Sequence, residues 1–390
     1  MIRAGLFACV AAALCAVQGP VRLSAQGTEV RALWVLRASL DSPDTIRRMV
    51  TSAAANGFNT LFVQVGSPQD APAFDALGET LTLAHARGLR VHAWIDVTMV
   101  SAASEFPRSR EHVIYQHPEW LMVPRELAAE LLAIDPRSPE YLGRLARWSR
   151  NQGDRVAGVY VSPLHADAQV QLAASIRDLV TRYALDGVHL DHVTFPGADF
   201  DYSRGAIDRF KRQMQRELSA DERARVDAVE QIDPFAYPNE RPDEWRLFRQ
   251  TQLSALVTRI YSSVKAARAS VVVSAAVMPD AGLAQRERFQ DWRTWAENGF
   301  VDVLCPMAYT ADATEFTRQV AEARLLAGGR PVWAGIGAHR ISAREAVDNI
   351  AAARRLGAAG VILFSYDSIV GPQNGTDYLS ALARLFNGAL

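Results

Sequence analysis

From residue 30 onward, short apolar, β-branched runs alternate with stretches whose apolar positions recur every three or four residues. The short runs are VRALWVL (30–36), TLFVQV (60–65), RVHAWIDV (90–97), GVHLDHV (187–193), VVVSAAV (271–277), VDVLCPMAY (301–309), PVWAGIGA (331–338) and GVILFSY (360–366). These have the length and composition of strands. Stretches between them, such as SPDTIRRMVTSAAANG and SAREAVDNIAAARRLG, have a helical period and end in glycine, a favoured helix C-cap. Eight such strand–helix units predict an α/β fold, a closed (β/α)8 TIM barrel. The rival is an open doubly wound sheet, but no GxGxxG follows the first strand to support a dinucleotide site.

Two connections exceed ordinary α/β loops. Residues 98–186 follow the third strand and contain a predicted helix at 139–151 and another at roughly 167–184. Residues 194–270 follow the fourth strand and end in a long helix within DEWRLFRQTQLSALVTRIYSSVKAARA. Both leave from a strand's C-terminal end, the face where barrels build their sites. The expectation is therefore one domain, 28–390, with elaborated loops after strands three and four.

Strand side chains alternate between faces. In GVHLDHV, Val188 and Leu190 share one face, and His189 and Asp191 the other. In RVHAWIDV, Val91, Ala93 and Ile95 oppose His92, Trp94 and Asp96. In TLFVQV, Leu61, Val63 and Val65 oppose Phe62 and Gln64. The aliphatic sets should meet the helices, and the polar and aromatic sets the barrel axis. The third and fourth strands then send one aspartate each to the same rim. Asp280, Tyr309 and Asp367 add an acid or a ring at other strand ends, and Trp333 lies in the seventh strand. Carboxylates among flat rings suit a sugar, since rings stack on pyranose faces and acids act on hydroxyls and the glycosidic bond.

Composition narrows the partners. With 42 basic and 43 acidic residues, the chain lacks the cationic surplus expected of a nucleic-acid or anionic-membrane binder. Residues 1–25 carry Arg3, an apolar run over 6–17 and small residues at 24 and 25, the layout of a cleaved secretory signal. Export to the periplasm or beyond is expected, with no membrane span in the mature chain. Lipid anchoring through Cys9 or Cys15 is the alternative, without a convincing lipobox. Cys305 then remains alone, in an apolar run that reads as packing. No cofactor is expected. A metal set from His189, Asp191, His192 and His92 is disfavoured, because His189 and His192 face opposite sides of an unbroken strand. HPEWL, with His117, Glu119 and Trp120, reads either as a helix start closing the barrel or as a sugar-stacking wall.

The ordered stretches RALWV, GFNTLFVQVGSPQDA, GLRVHAWIDV, HPEWLM, YALDGVHLDHVTFP, DWRTWAENGFVDVLCPMAY and GAAGVILFSY resemble the glycosyl hydrolase-like family ten of bacterial envelope proteins. The resemblance implies an amylase-type barrel and hydrolysis of a bacterial glycan, peptidoglycan strands among them. It puts the family's strand-four aspartate on Asp191, and its HAWL(N) motif on His92, Ala93, Trp94 and Ile95, with Asp96 where asparagine is usual. The family's second aspartate is His192 here. Its arginine after the second strand is Gly66, and its sixth-strand Pro-Gln and Tyr-Trp are Pro306-Met307 and Tyr309-Thr310.

The expected function is thus an exported glycoside hydrolase. Asp191 would be nucleophile or electrostatic stabiliser, and Asp96 or Asp280 the proton donor. Gln64, His92, Trp94, His189, His192, Tyr309, Trp333 and Asp367 would contact substrate. The alternative is a non-catalytic glycan-binding barrel.

Overall fold

In the computed structural model, residues 29–66, 74–103, 106–371 and 377–388 are described. The predicted leader, with Cys9 and Cys15, lies outside them. Among the described residues ten strands form: β1 (Val30–Val35), β2 (Thr60–Gln64), β3 (Arg90–Asp96), β4 (Met99–Ala102), β5 (Gly158–Tyr160), β6 (Gly187–Asp191), β7 (Val272–Val277), β8 (Val303–Ala308), β9 (Trp333–Gly337) and β10 (Gly360–Phe364). Eight of them close a barrel in the order β1-β10-β9-β8-β7-β6-β3-β2, and the pairs are parallel. The predicted TIM barrel is the observed fold.

Local chemistry explains the helices around it. Ser42 caps the helix Pro43–Ala55 in a capping box, with Pro43 in its first turn, and Ser342 and Glu345 do the same for Ala343–Arg355. Gly57 (φ 80°) and Gly357 (φ 76°) turn the chain from helix to strand in the left-handed region that other residues avoid. The three helices predicted in the long connections occur as Pro139–Asn151, Ala166–Arg182 and Pro242–Ala267.

The alternation also holds. Leu33, Leu61, Val91, Val188, Leu190 and Val273 pack outward into the layer shared with the helices. Trp34, Phe62, Trp94, Cys305 and Trp333 fill the barrel interior. His92 and His189 join that filling, within 4.7 Å of the Phe62 ring centroid in each case. They are buried below the rim and do not line the cleft described below. Burial pushes His92 down to about 3 and His189 well below the usual histidine range, so both are neutral. This corrects their assignment as substrate contacts: they are packing groups. Gly187 makes room for one of them, since a Cβ there would lie 2.2 Å from His92 Nδ1. Trp333 is likewise buried, against Phe62 and His92, and belongs to the filling rather than the rim.

The connection after β3 forms a small structure of its own. Strands β4 and β5 pair antiparallel, which the sequence pattern did not predict. They cover a separate apolar core that includes Ile114, Trp120, Leu121, Leu145 and Phe235. The insertion therefore stands beside the barrel rim as a packed wall.

Candidate active site

Strand β6 stops at Asp191, where the sequence pattern ran it to residue 193. His192 takes a positive φ of 45°, a conformation rare for a non-glycine residue. Its carbonyl accepts from the Thr98 backbone N–H at 3.2 Å and from the Thr98 hydroxyl. That turn breaks the strand alternation. His192 thus comes to the same side as Asp191, with Nε2 3.8 Å from Asp96 Oδ1. The argument that His189 and His192 face opposite sides assumed an unbroken strand, and the strand ends at Asp191 instead.

Asp96 and Asp191 are register partners on adjacent strands β3 and β6. One ligating atom from each of Asp96, Asp191 and His192 lies within 4.8 Å of the others. A divalent cation could be held by that spacing, and so could a shared proton.

The two carboxylates have different surroundings. Asp191 Oδ2 accepts from Trp94 Nε1 at 2.9 Å, and its Oδ1 from the His192 backbone N–H at 2.7 Å. Both of its oxygens are thus satisfied as an anion's would be. Asp96 Oδ2 accepts from Gln64 Nε2 at 3.2 Å. Its Oδ1 is buried without a hydrogen-bond partner. Burial first, and the neighbouring Asp191 charge second, push Asp96 up to about 6; His192, Gln64 and Arg37 oppose this. Asp96 is therefore the carboxyl that holds its proton above the usual aspartate range, up to about pH 6, and its buried Oδ1 has no donor to hold it as an anion.

A cleft of about 1050 Å³ opens above Gln64 and Asp96 and runs between the barrel rim and the insertion. Trp120 lines it, with its ring stacked on His117 at 3.8 Å between centroids. HPEWL thus starts a 3-10 helix, Pro118–Trp120, and also supplies a wall of the cleft. Near Asp191, Tyr309 stacks on Phe364 at 5.5 Å and meets Trp34 edge-on. Burial and the nearby Asp191 charge hold the Tyr309 hydroxyl well above its ordinary range.

Two expected site residues are used elsewhere. Asp280 is the N-cap of the helix Ala281–Arg288 and accepts from Leu283 N–H at 2.8 Å. No hydrogen bond joins it to Asp96 or Asp191. Asp367 accepts from the Leu36 N–H at 2.9 Å and the Ser39 hydroxyl at 2.7 Å, which ties down the turn after β1. Both carboxylates are committed to backbone geometry.

Two further residues were not singled out from the sequence. Arg37 follows β1 and lines the cleft. A Cβ at Gly66 would lie 2.6 Å from its guanidinium carbon, so that glycine leaves room for a cation delivered by another strand. An isolated arginine just past a strand's C-terminal end was the available signal. Tyr160 on β5 meets the His192 ring edge-on at 6.3 Å, and burial pushes its hydroxyl up to about 12. It sits on the unpredicted sheet, so no periodicity pointed to it.

Known proteins share this architecture. Residues 143–328 match the family described as Glycosyl hydrolase-like 10. Over that segment the chain is similar to that family. The matched segment contains Asp191 and His192, while Asp96 and Gln64 precede it. The glycosyl hydrolase DigH of Escherichia coli (strain K12) is 23% identical over 305 residues, covering 70% of this chain and 58% of DigH. The chain therefore spans less than two thirds of the curated relatives it matches. Among solved structures, the glycoside hydrolase domain of PgaB (BpsB) from Bordetella bronchiseptica superposes with a TM-score of 0.60 at 15% identity, over 92% of this chain and 99% of that one. The catalytic domain of a beta-amylase from Paenibacillus polymyxa gives 0.61 at 12% identity, over 93% and 99%. At such identities the likeness shows the TIM-barrel fold. Among the described residues, no helix is long and apolar enough to cross a membrane.

Proposed function

We propose that the chain is a glycoside hydrolase that uses Asp96 as general acid and Asp191 as nucleophile. The observation that carries this reading is the register pair itself. Two carboxyl groups meet at the C-terminal ends of adjacent strands, one raised to about 6 by burial and its neighbour, the other hydrogen-bonded at both oxygens. A carboxyl raised by burial suits the acid's role, and one hydrogen-bonded at both oxygens suits the nucleophile's. The protonated one gives its proton to the leaving oxygen, and the ionised one attacks or stabilises the oxocarbenium-like centre.

The spacing favours retention of configuration. Inverting sites hold their carboxyl groups roughly 6.5–9.5 Å apart to admit a water, whereas retaining ones stand about 5–5.5 Å apart. Here one oxygen of Asp96 lies within 4.8 Å of one oxygen of Asp191, on the retaining side of that divide. The composition of residues 1–25 supports export to the periplasm or beyond, where envelope glycans such as peptidoglycan strands would be the substrate class. Cell fractionation with and without that segment checks the export.

The test is incubation of the protein with purified peptidoglycan strands and with α- and β-linked glucans, with product anomers followed by NMR. Reducing ends should appear from one of these glycans, with the starting configuration retained. A chelator should leave the rate unchanged. Loss of activity that zinc restores would move the chemistry to a metal held by Asp96, Asp191 and His192. Products from none of the glycans would favour a non-catalytic glycan-binding barrel.

A further inference from the structure

We propose that the cleft continues past Phe106 into a second, cationic groove, and that together they bind an anionic polysaccharide, a chain with carboxylates on its sugar units. This rests on the hydrolase reading and specifies its substrate class. A neighbouring cavity of about 460 Å³ lies on the insertion, and Phe106 lines both it and the 1050 Å³ cleft. Arg110, Arg137 and Arg150 line the second cavity, and Arg37 and Arg108 line the first. Among the described residues, Asp96 is the one carboxylate that lines either cavity.

That segregation is not a consequence of composition, since the chain carries 42 basic and 43 acidic residues. Nor do neighbouring acids neutralise it. On the same insertion, Arg144 is paired with Glu130 and Glu140, and Arg155 with Asp199. Arg108, Arg137 and Arg150 are exposed and form no ion pair with a carboxylate among the described residues. The Arg110 guanidinium lies over the Tyr115 ring at 4.7 Å. Cations interleaved with rings suit a chain of carboxylated sugars: rings take the pyranose faces and guanidinium groups the carboxylates, in bidentate fashion where geometry allows. A glycan fits better than a nucleic acid, because the groove leads to Asp96, the register partner of Asp191 in a carboxyl pair suited to a glycosidic bond. Such a field also concentrates anionic chains near the site and weakens with salt.

The test measures binding by calorimetry in the Asp191→Asn protein, which should hold substrate without turning it over. The probes are a polyuronate hexasaccharide, a neutral glucan hexasaccharide and a single-stranded hexanucleotide. The polyuronate should bind at least about tenfold more tightly than the neutral chain. This preference should shrink as salt is raised to about 0.5 M. Combining Arg137→Glu with Arg150→Glu should cost about tenfold in polyuronate affinity. Arg216→Glu, on the exposed side of another helix, should cost nothing. Equal binding of the neutral chain, binding of the oligonucleotide as tight as that of the polyuronate, no binding at all, or indifference to the double charge reversal would overturn the proposal. Wild-type cleavage of a neutral glycan without charge preference would sink this inference alone. Polyuronate binding without any cleavage by wild type would sink the hydrolase reading and leave this one standing.

Discussion

Asp191→Asn lowers the rate of glycan hydrolysis by roughly a thousandfold or more, about 4 kcal/mol of transition-state stabilisation. The carboxylate is the one group in the site whose two oxygens are both held as acceptors, by Trp94 Nε1 and by the His192 backbone N–H. An amide keeps the shape and one acceptor but cannot attack an anomeric carbon or carry negative charge beside it. The fold should barely notice. Asparagine can still accept from Trp94, although its NH2 then faces the His192 N–H, and the barrel filling below is untouched, so the protein should stay folded with a modestly lower melting temperature. Initial rates and a thermal melt on the same preparation separate the two effects. A variant that melts normally yet retains most of the rate would remove Asp191 from the chemistry.

Asp96→Asn should gain stability while losing activity, with a pH signature. The folded protein holds this carboxyl at about 6, above its ordinary 3.8. Folding therefore opposes its ionisation. The native state binds the proton more tightly than the unfolded chain, so stability falls as pH rises from about 4 through 6. Above that window the ionised group costs at most about 3 kcal/mol, from the size of the shift. Removing the charge should stabilise the protein by roughly 1–3 kcal/mol at pH 8 and by close to nothing at pH 4. Denaturant titrations at the two pH values read this directly. Equal effects at both would mean that Asp96 is not the raised group. Catalysis should suffer in parallel, by about 10²–10⁴-fold on a glycoside with a poor leaving group and far less on an activated aryl glycoside, which needs no proton. In the wild type the same ionisation should give the alkaline limb of the rate profile, with an apparent midpoint near 6.

The fold was largely legible because barrel strands and helices write different periods into the chain. Each strand's outward set, such as Val188 and Leu190, and inward set, such as His189 and Asp191, followed from alternation alone. What alternation could not supply was depth. His92, His189 and Trp333 share the inward face with Asp96 and Asp191, yet they lie below the rim and are buried. Height along a barrel depends on strand register and shear, which no single strand reveals. The turn at His192 was hidden for a related reason. It is set by Thr98 holding the His192 carbonyl from another connection, and nothing within LDGVHLDHVTFP signals a positive φ.

Acids at strand ends were ambiguous in the same way. Asp280 and Asp367 have the same chain positions relative to their strands as a catalytic acid would. One caps a helix and the other clamps the turn after β1. Each of these jobs uses backbone N–H groups that are anonymous in a sequence. Asp96 was separable only by its partner: register places it beside Asp191, and burial leaves its Oδ1 without a donor.

The most direct test of the acid–nucleophile pair is to trap its intermediate. A 2-fluoro glycoside with a good leaving group, matched to whichever glycan the wild type cleaves, slows departure of the sugar from the enzyme more than its arrival. Intact mass and peptide mapping should then show one sugar added per chain, on the peptide that contains Asp191. The adduct should be absent in Asp191→Asn. Turnover of the matched glycan with no adduct, or with the sugar on any other residue, would contradict the account.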